Sequence, residues 1–367
     1  MLKQYKLSNY KFILVFFVIT LNTIGVLLVG SARPSLMNKQ LIGMISGIVL
    51  MIFVSLIDYK FVLKFSWLIY AFMIFMLLSV LVFGDSSGGA QRWIDLKFMR
   101  FQPSELAKIL LILFFAFFFM KYEEKINSPK IVFASLVLAA APLLLIVKQP
   151  DLSTTITTAL IFVTLIFVTG ISYKLVVGVL AVCIPSFIIL FTLLIQDRLP
   201  FIRSYQVKRV MAWLYPELYP DEAYQQQNSI MAIGSGQLWG KGLNNAEATS
   251  VKNGKFILEP QTDFIFSVAG EELGFVGTVC IILLLLFITI ECIFIARKAK
   301  DTAGKLICCG MAALVGFQSA INIAVTSGLL PNTGLPLPFV SYGLTSLWSL
   351  YIGMGFVLNV GLQARKH

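Results

Sequence analysis

Long apolar runs separated by short polar breaks repeat along most of this chain. They fall at about 12–30, 40–57, 62–83, 104–121, 130–147, 154–170, 174–195, 264–296, 303–328 and 337–361. A helical run of about 20 apolar residues crosses the roughly 30 Å hydrocarbon layer of a bilayer. The pattern predicts an all-α polytopic membrane protein of about ten transmembrane helices, one integral membrane domain over residues 1–367. A β-barrel would need strands of about 10 residues with alternating polarity, and is excluded. Glycine and proline interrupt the last blocks, so nine spans or a broken helix stays open. The first run, Phe12–Val29, is long enough to be retained as a span and lacks an A-x-A-like exit, which argues against a cleaved signal peptide.

One stretch breaks this rhythm. Residues 196–262 form a large polar loop between spans 7 and 8. Loops of such length are uncommon and usually functional. Within it, Arg203–Leu214 reads as an amphipathic helix with Val207, Val210, Met211 and Leu214 on one side. Such a helix can lie in the membrane interface. Lys208 and Arg209 then serve either as a lipid anchor or as a substrate contact, and the two readings weigh equally.

Charge fixes the expected orientation. Only 13% of residues are charged, against about 25% in soluble domains. The net charge of +11 is spread over short loops, so it speaks for membrane orientation and not for nucleic acid. With the N-terminus in the cytoplasm, the inner segments hold 15 Lys and Arg and the short outer loops six. That asymmetry puts both termini in the cytoplasm and makes 196–262 extracellular. Most acids then lie on the outer side, among them Asp151, Glu259 and Asp263, which points to chemistry on the outer face. The five cysteines sit in apolar runs without metal-ligand spacing and read as packing residues. The single histidine is His367. Acid–base work must therefore fall to Asp, Glu or Lys.

Several blocks carry candidate chemistry. Phe256–Gly277 holds Glu259, Asp263, Glu271 and Glu272 where the polar loop meets a span. Carboxylates at membrane depth are costly and mark functional sites by default. In a helix, Asp263, Ser267, Gly270 and Glu271 share one face; the plainer reading of Asp263 is an N-terminal cap. The span proper is expected to start near Gly274, with Thr262–Leu273 as a helical lip over an outward cavity. Gly88–Trp93 precedes Phe101–Lys108, in which Pro103, Ser104 and Glu105 form a helix start. Glu105 and Lys108 share a helix face, either as a structural ion pair or as cavity groups. Arg92 and Trp93 suit an anion clamp beside a flat surface; an interfacial aromatic anchor explains Trp93 equally well. Lys148–Thr154 puts Asp151 at a helix start, as an N-cap or as a second cavity acid. Ser235, Gly236 and Gly240–Gly242 can form backbone N–H concavities for an anion, although Walker spacing is missing. Pro331–Gly343 must break a helix, and irregular backbone at membrane depth has to line a cavity or be buried in protein.

Taken together, the blocks GAQRWI (89–94), FQPSELAK (101–108), QPDLST (149–154), NSIMAIGSG with GKG (228–242), EPQTDFIFSVAGEELGFVG (259–277) and LPLPFVSYG (335–343) resemble the SEDS family of bacterial cell-wall proteins, the RodA/FtsW/SpoVE group. They occur in the family's order from end to end, with a RodA-like lean. Two departures lie in turns: Ser153 where the family commonly has Gly, and Gly343–Leu344–Thr345–Ser346 where it often has Gly-Gly-Ser.

The resemblance implies a ten-span fold in the bacterial cytoplasmic membrane and a peptidoglycan glycosyltransferase with its active site facing outside. It implies lipid II as substrate, a class B penicillin-binding protein transpeptidase as partner, and other elongation or division proteins and membrane lipid around it, without nucleic acid. Forming a β-link from an α-linked donor requires a single inverting displacement with a base, a positive clamp and a lipid groove. Asp263 matches the family's essential aspartate and is the expected base. Arg92, Lys108, Lys148, Lys241 and Arg203 are the clamp candidates. Trp93, Glu105, Asp151, Ser235, Glu259 and Glu271 are further expected substrate contacts. A divalent cation (Mg or Mn) is compatible with diphosphate chemistry, but the sequence shows no dedicated metal cluster. A lipid-substrate flippase and a non-catalytic scaffold are the competing readings.

Overall fold

A computed structural model describes residues 10–87, 90–95, 100–173, 204–244 and 256–364, with isolated positions between 177 and 192 and at 250 and 254. Among the described residues, eight helices are long and apolar enough to cross a membrane, and Leu152–Val168 adds a shorter apolar one. In chain order they are α1 (Phe12–Ala32), α2 (Pro34–Leu56), the short α3 (Tyr59–Leu63), α4 (Ser66–Phe83), α5 (Pro103–Lys121), α6 (Pro129–Lys148) and α7 (Leu152–Val168). The stretch that follows α7 contributes α8 (Ser204–Leu214) and α9 (Pro220–Ser235). The bundle closes with α10 (Ile265–Arg297), α11 (Thr302–Thr326) and α12 (Leu344–Leu362). The expected span 174–195 lies largely outside the described residues.

Helix starts follow simple chemistry. Pro34, Pro103, Pro129 and Pro220 occupy first-turn positions, where a missing N–H costs nothing. Asp58, Asp151 and Asp301 cap α3, α7 and α11 by accepting backbone N–H groups. Two expectations need correction. The polar stretch between α4 and α5 is not plain loop but a small antiparallel sheet, β1 (Asp85–Ser87), β2 (Ala90–Asp95) and β3 (Arg100–Phe101) in that order. The last span begins at Leu344 and not near 337, because three prolines and Gly343 keep 331–343 out of the helix.

Helices α5, α11 and α12 form the buried centre, while α4 and α6 lie at the rim with most of their surface outward. Rim side chains such as Phe75, Phe133 and Leu144 are exposed, which suits lipid contact. Small residues let α2 and α12 approach closely: Gly47 lies against the Tyr351 ring, and Gly355 against Val54. The cysteines at 280, 292, 308 and 309 are free thiols.

The two ends of the bundle differ. At one end Tyr59 donates to Asp301 (2.9 Å), Lys60 pairs with Asp301 (2.7 Å), and Gln363 donates to Asp58 (3.0 Å). Tyr10 and Lys11 share a cavity with Lys298 at the same end. The opposite end carries the sheet, α8, α9 and the 331–343 segment. There α8 and α9 grip the end of α11: Trp213 donates to the Gly328 carbonyl (2.9 Å), Gln226 to the Val325 and Leu330 carbonyls (both 2.7 Å), and Ser229 to the Thr326 carbonyl (2.6 Å).

Helix α10 is broken at Gly274, whose φ of 64° and ψ of −165° are not helical. The break falls at the residue near which the sequence starts the span. The preceding segment is not an exposed lip, since Phe264 through Glu272 are all buried. Four backbone bonds fasten the break to the GSG…GKG turn. The N–H groups of Lys241 and Gly242 donate to the Glu271 and Glu272 carbonyls (2.9 and 3.0 Å), and those of Phe275 and Val276 donate to Gln237 and Leu238 (2.8 and 3.2 Å). A Cβ at Gly274 would lie 2.3 Å from the Gly240 nitrogen.

Gly274→Ala should therefore lower stability by about 1–3 kcal/mol from backbone strain alone, read as an earlier thermal unfolding midpoint in detergent. Gly316→Ala is the control. Its added methyl meets nothing closer than 3.5 Å, and Ala is the better helix former by about 1 kcal/mol, so its midpoint should hold or rise.

Candidate functional site

A cavity of about 410 Å³ opens at the end away from the chain termini. Residues far apart in sequence line it. Arg92 and Trp93 come from β2, Gln102 and Glu105 from the start of α5, and Thr154 from the first turn of α7. Arg209 enters from α8 and Gln225 from α9. The turn before α10 supplies Leu258, Glu259, Thr262, Asp263 and Phe264, and the segment before α12 supplies Asn332, Gly334, Pro336, Tyr342 and Gly343.

The two non-helical walls are held by buried amides and one hydroxyl. Asn322 on α11 donates through Nδ2 to the carbonyls of Asp263 (2.8 Å) and Leu335 (2.6 Å). Gln318, one turn earlier, donates to the Pro336 carbonyl (2.9 Å). Asn22 and Gln40 reach from α1 and α2 to the carbonyls of Phe339 (2.6 Å) and Ser341 (3.2 Å). Ser341 Oγ donates to the Thr262 carbonyl (2.6 Å), and the Tyr342 N–H donates to that of Gln261 (2.9 Å). Each bond gives a partner to a backbone carbonyl of these non-helical walls, which no helix ladder satisfies.

Asp263 is half-buried within this frame. Burial pushes its carboxyl up to about 6, against the pull of Arg209 and Arg92, while Asp151 and Glu259 push it higher. Arg92 donates to the Pro150 carbonyl and lies 4.0 Å from Asp151. Asp151 is itself fixed as the α7 N-cap, accepting from the Thr154 N–H (3.1 Å), and also accepts from Gln102 (3.3 Å). Glu105 pairs with Lys108 at 2.8 Å, and Lys108 also donates to Gln318 (2.8 Å). Both partners are almost fully buried. One unbroken chain thus runs from Glu105 through Lys108 and Gln318 to the Pro336 carbonyl.

Of the residues singled out in the sequence, Asp263, Arg92, Trp93, Glu105 and Glu259 meet in this cavity. Asp151 stands behind Arg92, and Lys108 beneath Glu105. Lys148 is exposed at the end of α6 and does not line the cavity. Ser235, Lys241 and Glu271 line a second cavity, of about 310 Å³. Glu271 there pairs with Lys241 (3.0 Å), so it is not a neighbour charge of Asp263 in the main cavity. The Lys241 and Gly242 N–H groups already serve helix carbonyls, so they form no anion cradle. Arg203 lies outside the described residues. Among the described residues, no group of three or more His, Cys, Asp or Glu is gathered to hold a metal.

Gln225, Asn332, Tyr342 and Thr345 were not legible as site residues, and Arg209 was legible only as one of two equal readings. Arg209 had been placed on a helix of the outer loop, but sequence alone could not tell whether that helix faces lipid or a cavity. The others are neutral residues in turns or first helical turns, where composition carries no chemical signal.

Comparison with known proteins agrees with this architecture. The FtsW/RodA/SpoVE family model, described as cell cycle protein, matches residues 5–366. The peptidoglycan glycosyltransferase MrdB of Escherichia coli K12 is 38% identical over 327 residues, 88% of this chain and 85% of that protein. A solved chain described under the structural coordination of polymerization and crosslinking by a peptidoglycan synthase complex superposes with TM-score 0.79 at 28% identity, covering 96% of this chain and 97% of that one. The rod shape determining protein RodA of Thermus thermophilus superposes with TM-score 0.70 at 26% identity, covering 98% of both chains.

The cavity electrostatics are testable without any substrate. The carboxyl C=O band that Asp263→Asn removes from infrared difference spectra should titrate with a midpoint near 6. In Arg209→Gln the midpoint should move upward, because a cation that favours the carboxylate is lost. A midpoint in the ordinary carboxylate range near 4, or none of this response to Arg209, would refute the arrangement.

Proposed function

This chain belongs to the FtsW/RodA/SpoVE family, and we propose that it is a peptidoglycan glycosyltransferase that polymerises lipid II in cell elongation or division. The carrying observation is a half-buried carboxylate, Asp263, whose pKa of about 6 suits a base, facing a cavity that also holds two guanidinium groups.

The chemistry follows from that set. Asp263 accepts the proton of the acceptor 4-hydroxyl as its oxygen attacks C1 of the donor sugar. The C1–O bond to the lipid diphosphate breaks on the opposite face, which inverts the anomeric centre. Arg92 and Arg209 neutralise the departing diphosphate, as fixed charges aimed at developing negative charge. Trp93 offers a flat apolar surface, and Glu105, held by Lys108, adds an acceptor for sugar hydroxyls. A divalent cation, Mg or Mn, would share the diphosphate charge if bound there.

Orientation rests on charge. The end with the chain termini gathers Lys11, Lys60, Lys64, Lys298 and Lys300, so the positive-inside rule turns the cavity away from the cytoplasm. On this reading the reaction runs on the outer face of the bacterial cytoplasmic membrane. A class B penicillin-binding protein is the proposed partner, by likeness to the synthase complex chain. A flippase would need charges along a path across the bilayer. Here the cavity charges sit at one end, and the Glu105–Lys108 pair is closed on itself, which favours the enzyme.

Purified protein with its transpeptidase should convert labelled lipid II into strands. Asp263→Asn should retain the partner but lose polymerisation by at least about 100-fold, the usual scale for a general base. Activity of the wild type should fall as pH drops through about 6, since the base is lost on protonation. Arg209→Ala should depress the rate of turnover more than Arg209→Lys, which keeps the charge. Full polymerisation by Asp263→Asn would remove the base assignment, and translocation without polymerisation would remove the enzyme reading.

A further inference from the structure

We propose that the second cavity is a saccharide subsite, which holds the glycan strand beyond the reacting sugars. This rests on the polymerase reading above and adds where the strand lies. Three separate segments run in step from the catalytic cavity to the second one. Helix α9 contributes Gln225 to the first, and Asn228, Ala232 and Ser235 to the second. Those positions are spaced three, four and three apart and so form one helical stripe. The segment before α10 contributes Leu258 and Glu259 to the first and Phe256 to the second. The turn before α10 places Asp263 at the first, and the buried start of α10 places Glu271 at the second, about 9 Å along the helix from Ile265 at 1.5 Å per residue. Ala232, Ile257 and Phe264 make a small apolar cluster between these segments. Asn228 Nδ2 ties two of the walls by donating to the Phe256 carbonyl (3.2 Å).

The lining decides the ligand class. The Phe256 ring and Met231 give apolar surface, and the Asn228 amide, the Ser235 hydroxyl and the Lys241–Glu271 pair give donors and acceptors. A sugar ring presents C–H groups on its faces and hydroxyls at its edge, so an aromatic face with polar groups around it matches both. A polyprenyl chain would call for a continuous apolar wall. A free phosphate would call for uncompensated positive charge, whereas Glu271 balances Lys241 at 3.0 Å. The cavity is about 310 Å³, in the range of small-ligand sites.

Two measurements test this on the full chain in lipid nanodiscs. The first titrates soluble β-1,4-linked N-acetylhexosamine oligosaccharide. Ser235 is exposed, and its hydroxyl bonds only the Ala232 carbonyl of its own helix, so Ser235→Trp adds bulk at the rim without opening a contact. Ser235→Trp and Phe256→Leu should each weaken binding about ten-fold, equivalent to about 1.4 kcal/mol, while Asp263→Asn still binds. The second compares strand lengths with lipid II at equal consumption, where both variants should release shorter strands than wild type. Unchanged affinity together with unchanged strand length would overturn the subsite. So would binding that Asp263→Asn abolishes and Ser235→Trp leaves intact, which would put the strand in the catalytic cavity alone. Wild-type protein that makes no polymer at all would instead fail the polymerase reading, and the subsite with it.

Discussion

The interaction on which the site depends is the hydrogen bonding of non-helical backbone packed against the helix bundle. A bilayer leaves a carbonyl without a partner unless protein supplies one, and each unsatisfied group costs several kcal/mol. The 331–343 segment and the turn before α10 are both non-helical and both line the cavity. Asn322 bonds a carbonyl in each of them at once. Ser341 and Tyr342 then bond the two segments to each other. The position of Asp263 is therefore set by an amide on a different helix, 59 residues away in the chain.

The same frame sets the electrostatics. Burial raises Asp263, and the two arginines limit the rise. Arg92 can stay near a carboxylate cluster because the Pro150 carbonyl and Asp151 fix its guanidinium. Asp151 in turn is fixed by capping α7. What reads as an ordinary helix cap is thus also a support for the cation that faces Asp263. The Glu105–Lys108 pair works alike: the charge is closed locally, and Lys108 passes the link to Gln318, which holds the proline-rich wall.

Backbone breaks do comparable work where α9 meets α10. At Gly274 the helix yields its regularity, and the freed groups pair with the 236–242 turn. That contact needs glycine on both sides, since a Cβ at Gly240 would lie 2.2 Å from the Glu272 carbonyl oxygen. The result fastens this part of the chain to the bundle, so that α8 can carry Arg209 over the cavity and α9 can run between the two cavities.

Among the described residues, hydrophobic periodicity alone located the long apolar helices, apart from the start of the last one, because a bilayer imposes one length on every crossing helix. Proline, aspartate and glycine positions determined where helices start and break, because those preferences are local to one turn of chain. Asp263, Arg92 and Glu105 were legible as well, since charge at a membrane boundary is expensive enough to stand out. Only the tertiary structure decided which charges meet. It turned Arg209 into the cavity, took Lys241 and Glu271 out of it as a pair, and gave Lys108 to Glu105 and Gln318. It also made a sheet of the stretch between α4 and α5, where no long apolar run announces the pairing. These outcomes depend on which faces of distant helices pack together, and a side chain's direction across such a contact is written in no single stretch of sequence.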